Sequence, residues 1–221
     1  MATPATTPQR THPRWQRRKE ARPREILGAA LDLFVERGYA ATKIEDVARR
    51  AGVSKGTMYL YFESKEALFK EVVRASIVPE LERAEQKLRE HRGSAAQLLG
   101  ELIEGWWTVI GESRSSGLAK LMVGEATNFP ELARFWYEEV VTRGRDVLAS
   151  AIQLGISLGE FRPMDVPIAV RLAIAPLMHA SVMKHSFNRC LYEPGDQRAI
   201  VRMHIALFLR GIATHPEPYH E

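Results

Sequence analysis

The sequence is poor in the residues that disulfide-bonded and metal-binding domains require. Its 221 residues include one cysteine, Cys190, which excludes an internal disulfide and a zinc site with several cysteines. No apolar run at the amino terminus resembles a signal sequence, and no stretch of about 18 apolar residues without a charge occurs. We therefore expect a cytoplasmic protein without a membrane-spanning segment.

The motifs of common enzyme classes are also missing. The chain has no glycine-rich phosphate loop and no Gly-x-Ser-x-Gly sequence. His179 and His185 each lack a carboxylate or cysteine three or four residues away, the spacing that would place two metal ligands on one face of a helix. We interpret His204, His215 and His220 as solvated or packing residues. We therefore expect no catalysis, no metal and no cofactor, unless the carboxy-terminal part conceals an active site.

Helical periodicity is the main pattern in the residues that are present, and 45% of them are hydrophobic, enough for buried cores. The alternation typical of strands does not occur, and neither does a repeat of fixed length. We predict an all-α fold of about nine helices. Capping residues, prolines and glycines mark their ends: a first helix from about Arg24 to Gly38, two short helices within 42–62, a fourth from Ser64 interrupted by Pro79, a fifth after Ser94, a short sixth around Leu118, a seventh from about Pro130 to Gly159, an eighth after Asp165, and a ninth from Asp196 to about Ala213.

Residues 42–62 have the pattern of a helix-turn-helix. Thr42 and Glu45 match the Thr-x-x-Glu capping box, which predicts that the first helix begins just after Thr42. Gly52 suits the left-handed position that ends this helix, and Ser54 suits the cap of the next one. The turn between them is three or four residues long, as two helices held at a sharp angle require.

The outer face of the second helix is small, polar and aromatic, while Met58 and Phe62 point inward. A glycine in a helix costs about 1 kcal/mol relative to alanine, so we interpret Gly56 as a place where the backbone closely approaches DNA. The threonine methyl group beside it suits a thymine methyl group, the tyrosine hydroxyls suit phosphates, and Lys55 adds positive charge at the helix N-terminus. A motif used only for packing is the alternative. The candidate DNA-binding residues are Thr42, Lys43, Ser54, Lys55, Gly56, Thr57, Tyr59, Leu60, Tyr61 and Lys65.

The motif and its surroundings also share a dense set of residues with a known family. The set consists of Phe34, Gly38, Tyr39, Thr42, Ile44, Val47, Ala48, Ala51 to Ser54, Gly56, Thr57, Tyr59, Tyr61, Phe62, Ser64 to Glu66, Leu68 and Phe69. It resembles the amino-terminal DNA-binding domain of the TetR family of bacterial transcriptional regulators, over roughly residues 20 to 80. Beyond this region the resemblance implies only a helical bundle for ligand binding and dimerisation.

Charge and composition suggest the division of the chain. The first 24 residues contain six arginines, one lysine and one glutamate, a net charge of +6. This segment is too poor in apolar residues to fold alone. We predict a disordered basic tail at 1–19, a helix-turn-helix domain at 20–80, a ligand-binding and dimerisation domain at 81–213, and a flexible tail at 214–221. Whether the basic tail contacts DNA phosphates or only aids solubility stays open.

The last two long helices carry apolar residues on more than one side. Small alanines permit close approach of helices, so we predict a two-fold interface that looks like the dimer face of the TetR family. A fully buried monomer core is the alternative. The apolar residues are Ala169, Leu172, Ala173, Leu177, Ala180 and Met183 on one helix, and Ile200, Met203, Leu207, Phe208 and Ile212 on the other.

Aromatic residues in the middle of the carboxy-terminal part suggest an effector site. Pro176 interrupts a helix and loosens the turn that follows it, which places a polar group beside an apolar lining. Core packing explains much of this pattern equally well. For an apolar or aromatic ligand the candidate residues are Trp106, Trp107, Met122, Trp136, Met178 and His179.

The resemblance implies a homodimeric transcriptional repressor. Its two recognition helices would enter successive major grooves of a near-palindromic operator, and a small hydrophobic or aromatic effector would release it. Two alternatives remain: a helical enzyme whose helix-turn-helix serves only packing, and a DNA-binding protein without an effector.

Overall fold

The computed structural model describes residues 14–187 and 196–215, and for residues 14–21 it describes the backbone only. Cys190 and most of the two predicted tails lie outside the described residues. The described residues form eleven α-helices and two π-helical segments: α1 Arg14–Arg37, α2 Ile44–Arg50, α3 Lys55–Tyr61, α4 Lys65–Ser76, α5 Val78–Glu90, α6 Ala95–Trp107, a π segment Thr108–Glu112, α7 Gly117–Glu125, α8 Pro130–Trp136, a π segment Tyr137–Thr142, α9 Arg143–Ser157, α10 Val166–Ser186 and α11 Gln197–Ile212.

The predicted all-α fold is confirmed, and so is the number of helices in the described part. The backbone stays helical through the second π segment, so α8 and α9 form one rod. Helices α4 and α5 meet at Ile77, whose backbone is still helical at φ −116° and ψ −43°. Pro79 lacks the N–H that would bond to the carbonyl of Ala75, and this explains the break. Counting each of these pairs as one gives nine helices.

Helix α1 begins earlier than the sequence predicted. It starts at Arg14 rather than near Arg24 and continues through Pro23. Residues 14–19, which we assigned to a disordered tail, are therefore helical. Local composition did not indicate this extension.

Two apolar cores organise the molecule. The first lies within α1–α4, which we call the head, and is centred on Phe34, Phe69 and the ring of Tyr39. It also takes in Met122 of α7 and Phe135 of α8. The second core lies within α5–α11, which we call the bundle. The head therefore packs directly against the bundle through shared core residues.

The last two helices leave apolar side chains exposed, but on α10 four of the six predicted ones are buried. Ala169, Ala173, Leu177 and Ala180 are buried in the bundle core, and so is Ile212 of α11. Leu172 and Leu207 are 59% and 55% exposed, and Ile168, Ile200 and Met203 are exposed as well. An outward apolar face therefore exists, but Ala169, Ala173 and Ala180 of α10 belong to the monomer core.

Helix α10 is also, within the described residues, the one helix long and apolar enough to cross a membrane by length and composition. It has 21 residues, and its most apolar 18-residue stretch reaches a mean hydropathy of 1.6. A core helix of a soluble protein meets the same criterion, and α10 contributes to the bundle core through Ala173 and Leu177.

Candidate DNA-binding face and effector cavity

Helices α2 and α3 form the predicted helix-turn-helix. The hydroxyl of Ser54 accepts a hydrogen bond from the backbone N–H of Thr57 at 3.0 Å, which confirms Ser54 as the cap of α3. Gly52 has φ +64°, a conformation that other residues rarely adopt, so its predicted role in the turn is also confirmed. Met58 and Phe62 are buried and fix α3 on the head.

The outward side of α3 is open. Tyr59 is 50% and Leu60 is 83% exposed, although both are large side chains. Gly56 is exposed as well, and the nearest atom to a Cβ built there would be the hydroxyl oxygen of Ser54 at 3.8 Å. Nothing inside the protein therefore requires a glycine at this position. Tyr61 is half-buried with its ring beside Phe62, so only part of it is available to DNA.

The basic groups near α3 are partly paired. Lys55 forms an ion pair with Glu45 at 2.6 Å; hydrogen bonding between them lowers the pKa of Glu45 and raises the pKa of Lys55. Both side chains are largely solvent-exposed, and such pairs contribute little to stability because water and salt screen the two charges. A phosphate can therefore replace Glu45 at little cost. Lys43, at the start of α2, is exposed.

The predicted roles of Thr42 are wrong. Thr42 is 1% exposed, and its hydroxyl donates to the carbonyl oxygens of Gly38 at 2.7 Å and Leu33 at 3.2 Å. It therefore ties the loop before α2 to the end of α1 and faces away from solvent. The N-cap of α2 is Lys43, without a side-chain cap hydrogen bond, so the capping box does not form.

The structure also contradicts the prediction that Lys65 contacts phosphate. Its ammonium group donates to the carbonyl oxygens of Tyr39, Ala40 and Thr42 at 2.9, 3.3 and 3.1 Å. The same group lies 4.3 Å from the centre of the Tyr39 ring, and burial lowers its pKa. All three ammonium protons are used, so Lys65 holds the loop between α1 and α2 in place.

The bundle contains two adjoining cavities. The small chamber, about 180 Å³, lies between α5, α6 and α9. The large chamber, about 600 Å³, lies between α7, α8 and α10, is open to solvent where Val123 and Tyr137 are exposed, and falls in the usual range for ligand sites. Both chambers are bounded by Trp106, Ile110, Trp136 and Val140, which therefore form the partition between them.

Both π-helical segments lie at this partition. Val109 and Ile110 come from the first segment, and Tyr137 and Val140 from the second. A π turn places an extra residue in the helix and often occurs at functional sites. Here two of them face the same space, which supports an effector cavity at this place in the fold.

Four of the six predicted effector residues are brought together. Trp106 and Trp136 form part of the partition, and Met122 and Met178 line the large chamber. The other two are not in the cavity. The ring of Trp107 packs on Gly111, with its N–H donating to Glu112 at 3.1 Å. His179 is exposed on α10.

The sequence did not reveal two basic side chains of the large chamber. Arg145 of α9 and Arg171 of α10 line it, together with the phenol of Tyr137. Arginines on otherwise amphipathic helices look like solvated residues, so no local pattern distinguishes them. In the described residues, no cluster of three or more histidine, cysteine, aspartate or glutamate side chains could hold a metal ion.

Comparisons with known proteins agree with this architecture. The sequence model of "Bacterial regulatory proteins, tetR family" matches residues 26–72, and that of "Tetracyclin repressor-like, C-terminal domain" matches residues 89–188. The transcriptional repressor KstR2 of Rhodococcus jostii is 30% identical over 155 residues, 69% of this chain and 74% of the relative.

Solved structures show the same fold. The regulator FadR of Bacillus subtilis in complex with stearoyl-CoA superposes with a TM-score of 0.67 at 23% identity, covering 86% of this chain and 98% of FadR. A transcriptional regulator of Saccharomonospora viridis in complex with choline gives 0.73 at 26% identity, covering 89% of this chain and all of that one. The chain therefore belongs to the TetR family of bacterial regulatory proteins and is a ligand-responsive transcriptional repressor.

Proposed function

We propose that the protein binds a near-palindromic operator as a homodimer and leaves it when an apolar effector enters the two-chambered cavity. On DNA, the backbone of Gly56 and the side chains of Thr57, Tyr59 and Leu60 approach the major groove. Lys43 and Lys55 approach the phosphates. The open outward side of α3 supports this orientation.

The dimer forms through the outward apolar face of α10 and α11. Exposed Leu172, Met203 and Leu207 cost free energy in water, and exposed apolar side chains on neighbouring helices are typical of an association surface. A helical face of this kind pairs naturally with its own copy about a two-fold axis. The same surface accounts for the apolar character of α10 without a membrane.

The proposed release from DNA is based on the residues that line the small chamber. This wall includes Ile77 and Leu81, at the joint between α4 and α5. Both residues also belong to the core that holds the head together. An effector in the chamber therefore touches the joint that sets the position of each head. If the effector binds more tightly when the joint holds the two heads at a spacing that does not match successive major grooves, then effector binding weakens operator binding and operator binding weakens effector binding.

The apolar character of the effector follows from the lining, which is dominated by aliphatic and aromatic side chains. The stearoyl-CoA bound to the B. subtilis regulator is an example of such a ligand in a protein of the same fold. Trp106 and Trp136 make binding visible because their fluorescence responds to an occupant beside them.

The test is a titration of labelled DNA from the region upstream of the protein's own gene, followed by a screen for apolar compounds that release it. Gly105 lines the small chamber, and a Cβ built on it meets no atom within 4 Å, so the backbone accepts a side chain there and we expect Gly105→Leu to narrow the chamber. We expect this variant to bind an active compound at least about tenfold more weakly, a change of about 1.4 kcal/mol.

Gly124→Leu is the matched control, because Gly124 also has free space around it but lines neither chamber. Equal affinity of the compound for the parent and Gly105→Leu would place the effector elsewhere. A parent protein that binds its upstream DNA no better than unrelated DNA would contradict the proposed regulation.

A further inference from the structure

The charges around the two chambers are not distributed evenly. In the wall of the small chamber, Lys87 pairs with Glu101 at 2.6 Å and Arg83 pairs with Glu80. That wall is therefore close to neutral. The wall of the large chamber has Arg145 and Arg171 and, among its described residues, no acidic side chain.

These two arginines have no acidic partner within the described residues. Arg145 donates one hydrogen bond, from Nη1 to the phenol oxygen of Tyr137 at 3.2 Å. Arg171 is exposed, and the structure gives it no hydrogen bond or ion pair in its described part. A guanidinium group presents a planar fork of donors that matches a carboxylate or phosphate, so two such groups in the lining of one apolar cavity favour an anion there.

The shape of the cavity indicates what the anion is attached to. The arginines lie on the large chamber, whereas Ile77 and Leu81 lie on the small one, and Trp106 and Trp136 stand between them. A compact aromatic molecule would fill the large chamber alone. An extended apolar chain would have to displace Trp106 or Trp136 to enter the small chamber, where it would contact the α4–α5 joint.

We propose that the effector is an anionic amphiphile, with its charged group on Arg145, Arg171 and Tyr137 and its apolar chain passing Trp106 and Trp136 into the small chamber. This inference rests on the proposed effector function and gives the ligand a charge and a direction in the cavity. The anion is a carboxylate or a phosphate, since both match the donors of the two arginines.

The first experiment compares dodecanoate, dodecyl phosphate, 1-dodecanol and dodecylamine, each below its micelle concentration, by quenching of tryptophan fluorescence. We expect one of the two anions to bind at least about tenfold more tightly than the alcohol and the amine, because hydrogen bonds to charged groups are the strong ones. The comparison of the two anions identifies the charged group. Equal affinities for anion, alcohol and amine would overturn the proposal.

The second experiment uses the double variant Arg145→Gln, Arg171→Gln. It should bind the preferred anion about tenfold more weakly and the alcohol equally well. Arg134→Gln is the control, because Arg134 is an exposed arginine of α8 that lines neither chamber. Conversion of the double variant to a monomer in sedimentation, with unchanged anion affinity, would assign the arginines to the dimer contact and overturn the proposal.

A series of chain lengths tests the direction of the ligand. Affinity should rise from octanoate to hexadecanoate in the parent and stop rising at a shorter length in Gly105→Leu, whose small chamber is narrowed. The same plateau in both proteins would mean that the chain never enters the small chamber. A neutral compound that releases DNA while no anion binds would remove this inference and leave the proposed function intact.

Discussion

Replacing Gly56 with alanine should change protein stability and DNA affinity in opposite directions, so the two effects can be measured separately. Gly56 is exposed in the first turn of α3, and a methyl group there would meet nothing closer than Ser54 Oγ at 3.8 Å. That is an ordinary van der Waals distance. The free protein therefore has room for the extra methyl group.

The expected change in stability is an increase. Alanine is favoured over glycine in a helix by about 0.5–1 kcal/mol, partly because the unfolded chain loses fewer conformations. For a protein of this size, 1 kcal/mol shifts Tm by about 2–4 °C. We therefore expect Gly56→Ala to melt up to a few degrees above the parent in calorimetry.

The expected change in DNA affinity has the opposite sign. If the backbone of α3 lies against the groove, an inserted methyl group forces one surface away from the other, and overpacking of this kind costs about 1–3 kcal/mol. Operator affinity should then fall by about ten- to a hundredfold in fluorescence anisotropy, with the same dimer in sedimentation. Gly124→Ala, at another exposed helical glycine, should leave operator affinity unchanged.

Operator binding by Gly56→Ala that equals the parent's would refute the reasoning. Such a result would mean that the backbone does not approach DNA at this residue, and α3 would have to be turned in the groove. A lower Tm together with weaker binding would instead mean that Gly56 has a structural role.

Three further changes are predicted. Lys65→Ala should lower the free energy of unfolding by about 1–3 kcal/mol, measured in urea, because the carbonyl oxygens of Tyr39 and its neighbours lose their charged donor. An unchanged free energy of unfolding would mean that Lys65 is available to contact DNA after all. Leu207→Glu should sediment as a monomer and lose high-affinity operator binding, whereas a dimer of unchanged affinity would place the interface elsewhere. His185 lies half inside the protein with its ring against Ser116 Oγ at 2.9 Å, and burial lowers its pKa below the ordinary 6.5. As pH falls, the unfolded chain protonates this histidine at a higher pH than the folded protein does, so the free energy of unfolding should decrease below about pH 6.5. His185→Gln should show a smaller decrease between pH 7.5 and 5.5 in urea unfolding.

Local patterns predicted the helices well because their ends depend on nearby residues. Ser54, Ser64, Ser94, Asp165 and Asp196 all accept the N-terminal backbone hydrogen bonds that their sequence positions indicated. Each of these bonds spans two or three residues. Tertiary contacts do not need to be known for such a prediction.

Predictions failed where a distant backbone group competed for a side chain. Thr42 satisfies the capping pattern in sequence, but carbonyl oxygens at the end of α1 take its hydroxyl proton. Lys65 looks like a free charge at a helix start, yet the loop that it supports lies more than twenty residues earlier. Neither contact can be predicted from a single sequence.

The effector cavity was predicted only in part, because several faces of its helices are apolar. Trp106 and Trp107 differ by one position, about 100° around α6, and periodicity does not decide which one faces the chambers. Each π segment adds a residue to its helix and so changes which side chains face the cavity after it. The position of Arg145 in the cavity lining therefore depends on a π turn that the sequence does not predict.

The packing of the head onto the bundle decides how an occupant of the cavity is sensed. Met122 lines the large chamber, Ile77 lines the small chamber, and both are members of the apolar core that contains Phe34 and Phe69. A ligand in either chamber therefore presses on residues of the head core itself. Close-packed cores respond to such pressure by adopting another discrete arrangement and do not deform continuously. A ligand that fills both chambers acts on α7 and on the α4–α5 joint together, so it should bias the head more strongly than a ligand confined to one chamber.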